Sequence, residues 1–305
     1  IEAKLLLANS LSTAPASYLP NGRPRAGKIY GQMLIQNVLQ KYPNNVAANH
    51  YWIHAVENGG RPEDAVQSSE RITKIAPNSG HLLHMPGHIY YRIGEHEKAR
   101  KAFLTSLAFD QKYMREQKIH PINNWNYTHN LDYLVANSAE EGRYKEALRY
   151  AKILTDIPSD QKRLMASGLS YILYGGYTAP TRVKMRFGFW SEAAKELKAT
   201  LPKDTSNLTL SQKYKLGILY YLRGMNAVEK SNIGLASTAT EELEALINEL
   251  PKGRAKNGSD WYFGFARNIL GVHLMDLEGS YLSLQGKHDE AFKLLSEGAK
   301  KEGFF

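Results

Sequence analysis

A 34-residue period runs through the first part of this chain. Gly31, Ala65 and Ala99 stand 34 residues apart, as do Pro43 and Pro77, His50 and His84, and His54 and His88. Four landmarks sharing one period mark a structural repeat. A unit of that length has room for two short helices and their turns, yet it cannot bury its apolar face alone. Neighbouring units must therefore stack, each closing the core of the next.

The spacing inside each period is helical. Residues 82–93 carry apolar side chains on a helical rhythm and stop at Gly94, a usual helix terminator. Residues 97–109 predict a second helix, with small Ala99 and large Phe103 on one face. A glycine followed five residues later by an alanine recurs at Gly94/Ala99, Gly142/Ala147, Gly188/Ala193 and Gly286/Ala291. Such a glycine turns the chain, and the alanine lets the two helices approach closely. With 305 residues, 43% of them hydrophobic, the chain can bury a sizeable core. The expected fold class is all-α.

The residues Gly87, Tyr90, Gly94, Ala99 and Phe103, with Pro43, Pro77 and Pro158 closing second helices, resemble the tetratricopeptide repeat family. The resemblance implies a right-handed α-solenoid of helix-turn-helix pairs, about six of them, filling residues 1–305 as a single domain. It implies a second pair over residues 45–76, a third over 79–112, an insertion at 114–126, and a fourth pair ending near Pro158. A longer pair is expected over residues 210–250, with Ser231-Asn-Ile-Gly234 as its turn, and a last one from about Trp261. The chain begins inside an apolar helix and ends at Gly303-Phe-Phe, so further chain or a partner is expected to cover one or both ends.

Eight of the ten histidines fall between His50 and His129. His50 and His54 form an (i, i+4) pair, which puts both imidazoles on one helix face, and Glu57 extends that stripe. One period later His84 and His88 repeat the pair, with His81 added on the same side. In the family the first helix of each pair lines the concave groove. The resemblance thus implies that His50, His54 and Glu57 face the groove in one repeat, and His81, His84, His88 and Tyr91 in the next. Aligning Gly142 with Gly94 brings His129 to the position of His81 and Asp132 to that of His84. Packed helices lie about 8–10 Å apart, close enough for their imidazoles to meet.

Neutral imidazole suits zinc, copper, iron and nickel. The expected metal ligands are His50, His54, His84 and His88, for a transition metal such as Cu, Zn or Fe. Glu57, His81, His129 and Asp132 are expected as further ligands or as groups that orient them. Tyr91, Trp125, Tyr127 and Asn130 are expected to wall the groove. The stretches at residues 50–57 and 80–90 also resemble a large group of bacterial tetratricopeptide proteins, in which IHAVE and GHLxHMPxHIY stretches stand one repeat apart. Members of that group often carry a further histidine after the Asn equivalent to Asn130, where this chain has Leu131 and Asp132. Pro86 falls between His84 and His88 and is expected in the first helical turn, where proline is tolerated.

Other chemistries find little support. There is no cysteine, hence no thiolate ligand, thiol nucleophile or disulfide. That composition leans towards an extracytoplasmic compartment over the cytoplasm. The sequence opens at Ile1 without a signal-peptide pattern, which leaves a processed extracytoplasmic protein open. Net charge is +9, but the basic residues are scattered and no run of five occurs, so no nucleic-acid partner is expected. No apolar run approaches the length of a membrane span. Phosphate-binding glycine loops and a serine nucleophile elbow are absent. Two readings remain. One is a histidine-rich site for a transition metal or small ligand, with catalysis open to it. The other is an interaction scaffold whose groove takes a peptide or partner helix.

Overall fold

The computed structural model describes residues 1–12, 18–19, 23–157, 172–252 and 265–302. Expectations that involve Pro158, Trp261, the Gly303-Phe-Phe end and residues 158–171 lie outside the described residues. The described residues are predominantly helical and form no strands, with neighbouring helices packed on one another. The only β-type pairing among them is an isolated bridge between Tyr18 and Pro24. The chain forms two compact units, Ile1–Tyr150 and Ala151–Phe305.

The first unit contains α1 (Glu2–Ser12), α2 (Ala26–Lys41), α3 (Val46–Val56), α4 (Val66–Ile75), α5 (Gly80–Arg92), α6 (His96–Gln117) and α7 (Trp125–Glu140). Helix α8 (Tyr144–Thr155) runs from this unit into the second. Each helix from α1 to α6 packs on the next, and α3 also packs on α5 and α5 on α7. The odd helices α3, α5 and α7 thus lie side by side. The polar stripes of α3 and α5 can share one face because their apolar stripes are buried in the same core. In α3, Ala48, Trp52, Ile53 and Val56 join Leu34, Ile35 and Val38 of α2, Ile72 of α4, and Met85 and Ile89 of α5. His50, His54 and Glu57 occupy the opposite stripe of α3 and its last turn.

The helix ends are chemically marked. Asn45 Oδ1 accepts from the Ala48 N–H at 2.8 Å, Ser79 Oγ from the Leu82 N–H, and Asn124 Oδ1 from the Tyr127 N–H. Gly94, Gly142, Gly188 and Gly286 all adopt left-handed backbone, with φ of +78°, +72°, +75° and +79°. The alanines five residues on are buried in every case. The recurrent Gly/Ala spacing therefore marks helical hairpins in both units. Close approach in the third hairpin comes from Gly87, where a Cβ would stand 2.2 Å from the Phe103 ring.

Two local expectations change. Pro86 is the seventh residue of α5, well past its first turn, so the Leu82 carbonyl loses its intrahelical donor there. The insertion is partly helical: α6 continues to Gln117, stops where Lys118 turns left-handed (φ 53°), and α7 starts at Trp125. The Ser231 turn is as expected in position, with Ser231 at φ 52° and Asn232 capping the next helix.

The second unit contains α9 (Ala179–Arg186), α10 (Trp190–Ala199), α11 (Leu210–Glu229), α12 (Ile233–Glu249), α13 (Phe265–Leu284) and α14 (His288–Glu302), preceded by a short π turn at Ile172–Gly176. Consecutive helices pack pairwise, and α11 also packs on α13. Gly217 and Gly224 of α11 admit Leu270 and Leu277 of α13 at distances a Cβ would not allow. No described helix is long and apolar enough to cross a membrane.

Candidate metal centre

The shared face of α3, α5 and α7 carries six histidines. They form two triads, His50/His54/His81 and His84/His88/His129. Within each triad one donor atom per residue lies within 4.8 Å of the others, and each triad is able to hold a metal ion. The helical spacings explain the grouping. His50 and His54 are one turn apart on α3. His81 sits at the start of α5 and meets them across the α3–α5 contact. His84 and His88, one and two turns further along α5, meet His129 of α7. The residues expected as one four-histidine set are thus divided between two sets, with His81 completing the first and His129 the second.

In the first triad His50 Nε2 lies 3.1 Å from His54 Nε2 and 3.0 Å from His81 Nε2. His54 Nδ1 is 2.9 Å from Glu57 Oε1. A carboxylate can only accept, so His54 carries its proton on Nδ1 and turns the Nε2 lone pair towards His50. One proton on His50 Nε2 cannot satisfy both neighbouring nitrogens, so lone pairs meet at close range. Burial and the neighbouring His54 and His81 push His50 down to about 3, so at neutral pH the ring is neutral and a proton does not relieve the crowding.

The second triad repeats this logic. His84 Nδ1 meets Asn130 Oδ1 at 2.6 Å. Asn130 is oriented because its Nδ2 donates to Ser106 Oγ at 2.6 Å and to Asp110 Oδ2 at 3.4 Å. His84 is therefore protonated on Nδ1 and directs a lone pair from Nε2 at His88 Nε2, 2.6 Å away. His88 Nδ1 in turn faces Glu57 Oε2 at 2.9 Å and the Tyr133 hydroxyl at 3.1 Å. Burial, with His88 and His129 nearby, holds His84 well below the ordinary imidazole range. Burial brings His129 down to about 4. Imidazoles that give their Nδ1 proton to a fixed acceptor and converge through Nε2 are arranged as metal ligands usually are.

Glu57 joins the triads. Its two oxygens face one histidine of each, Oε1 to His54 and Oε2 to His88. Burial alone would raise its pKa, but the His88 and His54 rings outweigh burial and hold the carboxyl below the usual carboxylate range. Glu57 is thus an anion facing a ring of each triad.

The remaining expected site residues separate by helix face. Trp125 is 48% exposed and its ring lies beside His81 at 5.2 Å and His129 at 5.4 Å. Tyr91 stands further out, against His96 and Tyr133. Tyr127 is buried beside Gln111 and Asp110, away from the Trp125–His129 stripe. Asp132 lies close enough to His129 and Tyr133 to act on both electrostatically and belongs to neither triad. Asn130 acts through His84.

Four contributors were not expected from the sequence. Asp110, Ser106 and Asn126 form the support behind Asn130: Asn126 Nδ2 donates to Asp110 Oδ2 at 2.6 Å, and Ser106 Oγ donates to the Gly80 carbonyl at 2.6 Å. Burial raises the Asp110 pKa against the pull of the Asn126, Asn124 and Asn130 amides. Gly80 leaves room for this carboxylate, since a Cβ there would lie 2.3 Å from Asp110 Oδ1. Tyr133 is the fourth, one turn beyond His129, and an (i, i+4) reading of α7 would have found it. No family model matches this chain, and no curated protein matches it either, so the chemistry of the site rests on its own geometry.

Proposed function

We propose that this chain is a tetratricopeptide-type solenoid that binds a transition metal through the histidine face of α3, α5 and α7. The observation that carries the reading is the pair of histidine triads in which one outward nitrogen is fixed in each, His54 Nδ1 by Glu57 and His84 Nδ1 by Asn130, so that Nε2 turns towards the neighbouring rings. The donor set is imidazole with no thiolate, which favours copper, zinc, iron or nickel over magnesium or calcium. Three protein ligands leave a coordination position for water or an exogenous ligand, the arrangement found in catalytic zinc sites.

Elemental analysis of protein purified without a histidine tag tests the reading. Stoichiometric Cu, Zn, Fe or Ni is expected, either as isolated or after loading and gel filtration. Protein that takes up none of the four sinks it.

A second reading, a groove for a peptide or partner helix, draws on Trp125. Its half-exposed ring beside two histidines is the kind of anchor that a bound chain covers. A partner recovered in stoichiometric amount by metal-free protein would favour it.

A further inference from the structure

We propose that the histidine face holds two metal ions, one in each triad, with the Glu57 carboxylate set between them. This rests on the metal reading above and adds number, position and coupling to it.

The donors come as two sets of three, and no histidine belongs to both. A tetrahedral ion takes four ligands at about 2.0–2.1 Å, so six imidazoles exceed what one such ion collects. The rings that face each other across the divide, His54 with His88 and His81 with His84, have centroids 6.1 Å apart in each pair. Within the first triad the centroids stand 4.8, 4.9 and 6.2 Å apart and within the second 4.4, 4.8 and 5.8 Å, so the division lies in the donor nitrogens, which group as two sets of three, and not in the ring spacing. The face is therefore two neighbouring centres, close enough to sense each other.

Two dications at that separation repel. Glu57 is the group that offsets the repulsion, because each of its oxygens faces an imidazole from a different triad. It is a positioning residue for the first ion, holding the Nδ1 proton of His54 so that Nε2 stays free, and it sets its second oxygen 2.9 Å from His88 Nδ1. The two centres differ in readiness. Ligand nitrogens of a tetrahedral site stand about 3.3 Å apart. The 3.0 and 3.1 Å spacings of the first triad are near that value, whereas the 2.6 Å His84–His88 approach must open. The first triad is expected to fill first.

The test uses Cu(II) as probe on the full, untagged chain after chelator treatment, read by metal analysis and electron paramagnetic resonance. Two equivalents are expected, with dipolar broadening and a half-field transition only when both are bound. His81→Ala and His129→Ala should each retain one equivalent with no spin coupling. Glu57→Gln should weaken both ions by about 10–100-fold. Circular dichroism checks that each variant keeps its helices, and His81→Asn replaces His81→Ala if the latter unfolds. A single tight equivalent, or two equivalents without spin coupling, overturns the two-ion proposal while leaving a metal site in place. Unchanged affinities in Glu57→Gln overturn the part given to the carboxylate. No binding at all removes the metal reading itself.

Discussion

In the first unit six imidazoles face one another across three helices, whereas in the second His273 lies stacked on the Tyr221 ring, 4.5 Å away, with Asp276 close by. Burial lowers both kinds. His50 falls to about 3 and His273 to about 4. Depressed basicity is therefore common to the two regions and says little about ligands. What separates them is direction. In the first unit acceptors behind the rings, Glu57 and Asn130, turn the Nε2 lone pairs inward to meet. Around His273 the neighbours are Tyr221, whose hydroxyl donates to Asp276 at 2.5 Å, and the arginines Arg182 and Arg186 of the same cavity. Among the described residues this ring joins no group of three potential metal ligands.

The largest expected effect breaks that comparison outright. His54→Ala combined with His88→Ala removes one ligand from each triad and also empties both faces of Glu57. All stoichiometric metal should be lost, as measured by elemental analysis after loading. His273→Ala should lose none. Equal retention in both proteins would mean that the histidine face is no more a metal site than the second unit is.

The next effect concerns the packing beneath each histidine. Phe103 fills the space left by Gly87 and touches the ring of His84 from below, with centroids 5.2 Å apart. Leu277 fills the space left by Gly224 in the second unit. Phe103→Ala should cost about 3–5 kcal/mol and Leu277→Ala about 2–5 kcal/mol, measured by denaturant unfolding. Only Phe103→Ala should also weaken metal, because only there does the cavity lie under the histidine triads.

The repeat was legible because its marks are local and periodic. A glycine in left-handed backbone and an alanine five residues later report a hairpin wherever they occur, and Gly94 and Gly286 behave alike in different units. The histidine stripes were legible for the same reason, since an (i, i+4) pair shares a helix face whatever lies beyond it. How the stripes divide was not. Whether His81 joins His50 or His84 depends on the axial offset of α5 against α3, and no spacing within one helix encodes that. Asp110 escaped for a related reason. It stands 20 residues before Asn130 and reads as one more polar residue of α6, until Gly80 is seen to make room for its carboxylate. Pro86 misled because proline usually marks a first turn, whereas Ser79 had already capped α5 seven residues earlier.

A smaller effect isolates the share of the acid response that comes from the second unit. His273 has a folded pKa near 4, below the value of about 6.5 for an unfolded chain. The unfolded state then binds more protons between those values. Stability contributed by His273 is present above pH 6.5 or so and is lost as pH falls through about 4, with a slope of up to about 1.4 kcal/mol per pH unit. His273→Phe keeps a ring against Tyr221 and removes the titration. Thermal unfolding of this variant between pH 7 and 4 should show a shallower acid decline than wild type. An identical decline would mean that the imidazole does not set the response.

The smallest effects come from the two tyrosines that touch these histidines. Tyr133 meets His88 Nδ1 at 3.1 Å, and the Glu57 carboxylate stands 2.9 Å from the same nitrogen. Tyr133→Phe removes the neutral partner and leaves the charged one in place. It should change stability by under about 1 kcal/mol and metal affinity by no more than about threefold, far less than Glu57→Gln. Tyr221→Phe removes a donor from a carboxylate, and hydrogen bonds to charged groups carry more, about 1.5–3 kcal/mol before solvent exposure reduces it. Tyr221→Phe should thus destabilise the protein more than Tyr133→Phe while leaving metal untouched. If Tyr133→Phe instead costs tenfold or more in affinity, the phenol and not the carboxylate orients His88, and the link between the two triads passes through α7.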